Sequence, residues 1–364
     1  MTCRIDLTNP MDYGPGKTLR GQAFCQFYAT ETFKVIKCIF KGIEKTAWTE
    51  RKSEGNKTVT CYHAGENTFL YAEALFAENG PLPPGPYVYP FAFNLPGNMA
   101  STYEGVHGSI KYYLTLIVDK GIISNYKYET EIQIRSPVNF NLIKDKLQLE
   151  PTIYKDEKVL CCCCCKSSPV TMDLLFDKEA FLIGEVAKIR MKIVNMSNTT
   201  IPQVVMFLQQ KIIYKSDMGY STYDINELAT ASISGVGAHG DRNYLFNFEI
   251  PSSANVPNFT GCRLFDTKVF FTAEAVIPGF HTNLRIDTET IILGHIPLDS
   301  TSSQLSHDQE TDPPPYNPNE YNKSDGTNSE MIPLVNHEKS TNLPASAPTE
   351  DNNSSAPQKL DESM

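Results

Sequence analysis

Pro313-Pro314-Pro315-Tyr316 is the string in this sequence with the most specific chemistry. It fits Pro-Pro-x-Tyr, the ligand pattern of WW domains. Consecutive prolines preset a polyproline II helix, so docking costs little entropy; their rings lie on aromatic grooves and the tyrosine fills a second pocket. Four residues bury little surface, so one copy predicts a weak, transient contact that tightens through avidity. Tyr321, in Pro318-Asn319-Glu320-Tyr321, does not fit the pattern.

Five of the ten cysteines are consecutive, Cys161, Cys162, Cys163, Cys164 and Cys165. Adjacent cysteines make a poor disulfide framework, and three readings stand side by side. The thiols can pack as small hydrophobes, carry acyl chains that hold the protein at a membrane, or bind a metal or take part in redox chemistry. No second spaced Cys/His cluster faces the run in sequence, as a zinc site would need.

Gly235-Val236-Gly237-Ala238-His239-Gly240 formally matches the dinucleotide-binding Gly-x-Gly-x-x-Gly string. That fingerprint requires a helix next, whose N-terminus meets the pyrophosphate. Tyr244-Leu245-Phe246-Asn247-Phe248 reads instead as a strand, so the glycines predict an interstrand turn. Lys34, Lys37, Lys41, Lys45, Arg51 and Lys52 cluster early and could meet acidic lipid headgroups or phosphorylated tails, with solvated strand faces as the plainer reading. The seven histidines are dispersed, and no Gly-x-Ser-x-Gly or His-Glu-x-x-His string occurs. The expectation is a protein that performs no chemistry and holds no metal or cofactor.

The formal net charge is -10, but residues 299–364 hold 12 acidic against 3 basic residues, leaving the first 298 near neutral. No basic block with interleaved aromatics gives the footprint of a nucleic-acid binder. Met1 to Asp6 has no apolar core of the signal-peptide kind. The uncharged run from Asn79 to Tyr103 holds six prolines between Pro81 and Pro96, which would break a spanning helix. The expected location is the reducing cytoplasm.

The elements that must carry these features read as strands. Ala187, Ile189, Met191 and Ile193 alternate with Lys188, Arg190 and Lys192, the period of a strand with one dry and one wet face; Ile110, Tyr112, Leu114, Leu116 and Val118 repeat it. A short turn is expected within Asp145 to Leu149. The chain also repeats itself. Phe91-Ala92-Phe93-Asn94-Leu95-Pro96 precedes Tyr103-Glu104-Gly105 and a strand from Ile110; Phe246-Asn247-Phe248-Glu249-Ile250-Pro251 precedes Phe259-Thr260-Gly261 and a strand from Lys268. Short strands between Gly/Pro/Asn turns favour sandwiches over a parallel sheet. The expected organisation is an all-β chain: one sandwich over 1–143, a cysteine-containing linker over 144–168, a second sandwich over 169–297, and an acidic tail over 298–364 too poor in large apolar residues to order itself.

Gly85 to Pro96, continuing through Thr102-Tyr103-Glu104-Gly105-Val106-His107-Gly108-Ser109-Ile110-Lys111-Tyr112, resembles the signature strand pair of the alpha-arrestins, the arrestin-domain-containing proteins. Gly42 with Trp48-Thr49-Glu50, the cysteines before Ser168-Pro169-Val170 and the proline-rich tail add to the resemblance, which covers roughly residues 4 to 297. It implies two arrestin-type immunoglobulin-like sandwiches and a trafficking adaptor that links membrane-protein cargo to WW domains of HECT-type ubiquitin ligases, working in the cytoplasm, at the plasma membrane and on endosomes. An arrestin-fold sorting subunit and a thioredoxin-interacting redox regulator are the alternatives. Two departures stand out: Met99-Ala100 replaces the family's more usual leucine-proline pair, and the tail holds one clear ligase motif where many relatives have two.

Overall fold

The computed structural model describes residues 1–8, 13–55, 57–121, 125–162 and 165–296; of 54, 161, 162 and 165–167 only the backbone is described. Pro313 to Tyr316, Cys163, Cys164 and the whole expected tail lie outside these residues.

Period-2 alternation builds nearly every element. In the first half, β1 (Thr2–Leu7), β2 (Thr18–Phe27), β3 (Glu31–Glu54), β4 (Lys57–Leu82), β5 (Gly85–Asn94), β6 (Tyr103–Gly105), β7 (Gly108–Asp119) and β8 (Tyr126–Ile132) form two sheets. One runs β1-β2-β5; the other runs β4-β3-β7-β6, with β8 also on β7. Leu19, Ala23, Cys25 and Phe27 of β2 and Phe91 and Phe93 of β5 turn inward. They meet Ile36, Cys38 and Phe40 of β3 and the apolar row of β7. Phe40 packs on Phe93 and Tyr112 with ring centroids 5.8 and 6.0 Å apart. Pro86 and Pro90 cannot donate to a ladder, and β5 tolerates them because it is a sheet edge.

The second half repeats this wiring. β9 (Thr152–Cys162), β10 (Cys165–Phe176), β12 (Val186–Asn195) and β15 (Asp241–Glu249) form a sheet ordered β15-β12-β10-β9. Facing it is the sheet β14-β13-β16-β17, made of β13 (Ile201–Lys215), β14 (Ser221–Val236), β16 (Phe265–Ala275) and β17 (Leu284–Asp287). Short β11 (Ala180–Leu182) and β18 (Ile292–Gly294) pair in parallel. Thus β10-β12-β15 copies β1-β2-β5, and β14-β13-β16-β17 copies β4-β3-β7-β8. Phe246 and Phe248 face inward as Phe91 and Phe93 do. The duplicated Phe-x-Phe strings therefore mark one strand of a twice-used sandwich.

The stretch expected as a linker is largely structured. Phe140–Leu142 and Lys144–Lys146 are single 3-10 turns, the second overlapping the expected turn. Thr152–Cys162 is an extra edge strand with no counterpart in the first sandwich among the described residues. Along the row of Tyr154 and Leu160 stand Asp156, which is exposed, and Lys158, so charge interrupts the apolar period that would have announced the strand. Tyr154 nonetheless stacks edge-on against Phe176 at 6.0 Å, and Lys158 Nζ donates to the Asn283 carbonyl at 3.2 Å. Cys162 pairs with Cys165 and Cys161 with Lys166, so three of the five consecutive cysteines belong to the β9–β10 ladder. The Gly235–Gly240 string joins β14 to β15, a strand-to-strand turn.

Candidate functional site

The two sandwiches meet in a seam of long-range hydrogen bonds and shared apolar residues. β13 is the reason. Its first part, Val204, Met206 and Leu208, faces the second core, whereas Ile212 and Tyr214 belong to the first. A register shift between Leu208 and Gln209 marks the changeover. Phe259, Leu264 and Phe265 join the same first core, so the second half supplies part of the first half's interior.

Glu44, fully buried on β3, is the polar centre of this seam. Its carboxylate accepts hydrogen bonds from Asn67 Nδ2 at 2.7 Å, from the backbone N–H of Arg263 at 2.9 Å and from that of Leu264 at 2.8 Å. A buried carboxylate is costly unless its oxygens are occupied, and three N–H donors occupy these, two of them more than 200 residues away in the chain. The β3–β4 register shifts between Gly42 and Ile43, where Phe69 is the extra residue on β4, and Asn67 then lies directly opposite Glu44. Gly42 has no room for a side chain: a Cβ there would come within 2.8 Å of the Phe69 ring. Next to Glu44, burial pushes the Cys262 thiol up, and the Glu44 carboxylate adds to the rise.

Further contacts extend the seam. Thr46 Oγ1 donates to the Lys215 carbonyl at 2.7 Å. Asp217 accepts from Arg263 Nη2 at 2.6 Å and from the Glu66 N–H at 3.2 Å, and its own N–H donates to the Ala64 carbonyl at 3.0 Å. The Arg263 guanidinium, helped by the Glu66 N–H, holds the Asp217 carboxyl below its ordinary value. The Tyr103 and Tyr214 hydroxyls lie 3.1 Å apart, and burial followed by this contact pushes the Tyr214 phenol up. His63 lies between the rings of Trp48 and Tyr220, tilted to both, at centroid distances of 5.2 and 4.5 Å. Gly105 and Gly108 allow the close approach: a Cβ at Gly105 would collide with both tyrosine hydroxyls, and one at Gly108 with the Lys45 carbonyl oxygen.

This geometry binds two bodies together; it does not align a nucleophile with a base. Among the described residues, no group of His, Cys, Asp and Glu could hold a metal ion, and no helix is long and apolar enough to cross a membrane. Tyr103, Gly105, His107 and Gly108, residues of the signature segment, all lie at the seam, and Trp48 lies there too. The Met99-Ala100 departure is absorbed by backbone chemistry: Tyr112 Oη donates to the Ala100 carbonyl at 2.8 Å and Ser136 Oγ to that of Met99 at 2.6 Å. The early basic cluster lies along β3, where Lys37, Lys45 and Lys52 pair with Glu73, Glu66 and Glu50 at 2.9, 3.0 and 3.4 Å. It is a laced strand surface, not a bare cationic patch.

The family model of the arrestin (or S-antigen) N-terminal domain matches residues 3–141, and that of the C-terminal domain matches residues 166–298. The chain belongs to the arrestin family. Within that family it is an alpha-arrestin, similar to arrestin domain-containing protein 1 of Rattus norvegicus at 24% identity over 287 residues, covering 79% of this chain and 63% of the relative. The Homo sapiens arrestin domain-containing protein 1 is 23% identical over the same shares. Mus musculus arrestin domain-containing protein 4 is 28% identical over 131 residues, 35% of this chain and 31% of that protein. This alpha-arrestin thus spans just under two thirds of the length of the arrestin domain-containing protein 1 relatives. Glu44, Asn67, Asp217 and Arg263 escaped the sequence reading; the one local signal was an acidic residue following the apolar run Ile39-Phe40 and Gly42-Ile43.

Proposed function

We propose that this alpha-arrestin is a non-enzymatic adaptor that couples membrane-protein cargo to HECT-type ubiquitin ligases for ubiquitination, endocytosis and sorting. The observation that carries the reading is the Pro313-Pro314-Pro315-Tyr316 motif following a two-sandwich arrestin body. The motif recruits the ligase through its WW domains, and the body, with its sandwiches tied through Glu44, presents the cargo surface. A single motif gives a weak contact, so productive recruitment rests on several WW domains or on adaptors clustered by cargo. The tail from 298 is the ligase-binding segment of this reading. The protein works in the cytoplasm and is recruited to the plasma membrane and endosomes. S-acylation of Cys161 to Cys165 supplies a membrane anchor; five consecutive thiols offer several acyl sites.

Proximity labelling in cells tests the coupling. The wild-type protein is expected to label both HECT-type ligases and membrane proteins, and Tyr316→Ala to lose the ligases while keeping the membrane proteins. Ligase labelling that survives the substitution would overturn the assignment.

A further inference from the structure

Two thiols outside the seam face one another. Cys3 on β1 and Cys25 on β2 are directly paired across the antiparallel ladder. Directly opposite residues have Cα atoms about 4.5 to 5.5 Å apart, within the range that a disulfide spans. Both side chains point to the inner face, Cys25 fully buried and Cys3 nearly so. A surface cavity of about 320 Å³, lined by Thr2, Cys3, Arg4, Phe24, Cys25, Gln26 and Pro86, reaches both. The Tyr126 hydroxyl, at 3.2 Å from both the N and the O of Cys3, holds the backbone of this edge strand in place.

We propose that Cys3 and Cys25 form a dithiol site that exchanges with a small-molecule disulfide of the glutathione class and closes into a cross-strand disulfide clamping β1 to β2. The two thiols have different roles. A hydrogen bond from the Cys25 thiol favours the Cys3 thiolate, with the N-terminal ammonium and Lys120 adding to it, whereas the same contact and burial hold the Cys25 thiol up. Cys3 is also the more exposed. Its thiolate attacks one sulfur of the glutathione disulfide; that S–S bond breaks, one glutathione thiolate leaves, and a Cys3–glutathione disulfide forms. Cys25 then gives up its proton and attacks Cys3 Sγ, expelling the second glutathione. The protein dithiol loses two electrons and the small disulfide gains them.

The test uses the full-length reduced protein in glutathione buffers of rising oxidised fraction, quenched with N-ethylmaleimide and mapped by mass spectrometry under non-reducing conditions. The expected result is a linked Cys3–Cys25 peptide lighter by two hydrogens, with loss of alkylation at both sites. Cys38, buried with its thiol pushed up to about 12, is expected to stay unlinked. Cys25→Ala is expected to retain glutathione on Cys3, and Cys3→Ala to leave Cys25 unmodified. The wild-type map stands even if a variant fails to fold. Free Cys3 and Cys25 at every glutathione ratio in the folded wild-type protein, or glutathione accumulating on Cys25 in folded Cys3→Ala, would overturn the proposal.

Discussion

Glu44 and Asp217 hold the same seam by different physics. Glu44 has lost all its water and keeps three N–H donors in exchange. Glu44→Ala strands those donors in a dry interface, and the expected loss is about 3 to 5 kcal/mol of unfolding free energy in a denaturant titration. A loss below about 1 kcal/mol would show that the donors find other partners. Asp217 is a solvent-exposed carboxylate that titrates. Its folded pKa lies below the ordinary 3.8 because of Arg263 and the Glu66 N–H. The Asp217 contribution is therefore fully present above that unfolded value and is lost as pH falls through the folded one. Stability is expected to decline more shallowly with acid in Asp217→Asn than in wild type, measured by thermal melts from neutral pH downward. Parallel declines would remove Asp217 from the acid response.

At the scale of elements, the sandwich strands could be read from side-chain alternation because one face of each is dry. The Phe91/Phe93 and Phe246/Phe248 strings revealed the duplication since each fills the same strand of the same wiring. β9 escaped because Asp156 and Lys158 interrupt the apolar period between Tyr154 and Leu160. The seam escaped because its partners are remote in sequence: Glu44 meets Arg263 and Leu264 across more than 200 residues. Close backbone approach is what the glycines there supply. Gly108→Ala drives a methyl into the Lys45 carbonyl where β3 meets β7, and is expected to cost about 1 to 3 kcal/mol. Gly80→Ala, on β4 with open space around its Cβ position, is the matched control and is expected to change stability by no more than about 0.5 kcal/mol. Equal effects in thermal melts would mean that crowding at Gly108 does not set the junction.

For the whole molecule, Ile212, Tyr214, Phe259, Leu264 and Phe265 make the first core incomplete without the second half. The two sandwiches therefore share one interior, and the proposed ligase motif, Pro313 to Tyr316, rests on four residues of sequence alone. The adaptor reading is therefore testable on one side chain, Tyr316. The direct measurement is a calorimetric titration of a HECT-type ligase's tandem WW domains into the full-length protein and into Tyr316→Ala. Saturable binding to wild type and none to the variant, with identical thermal melts for the two proteins, is the expected result. Equal binding by both, or by neither, would contradict ligase recruitment through this motif.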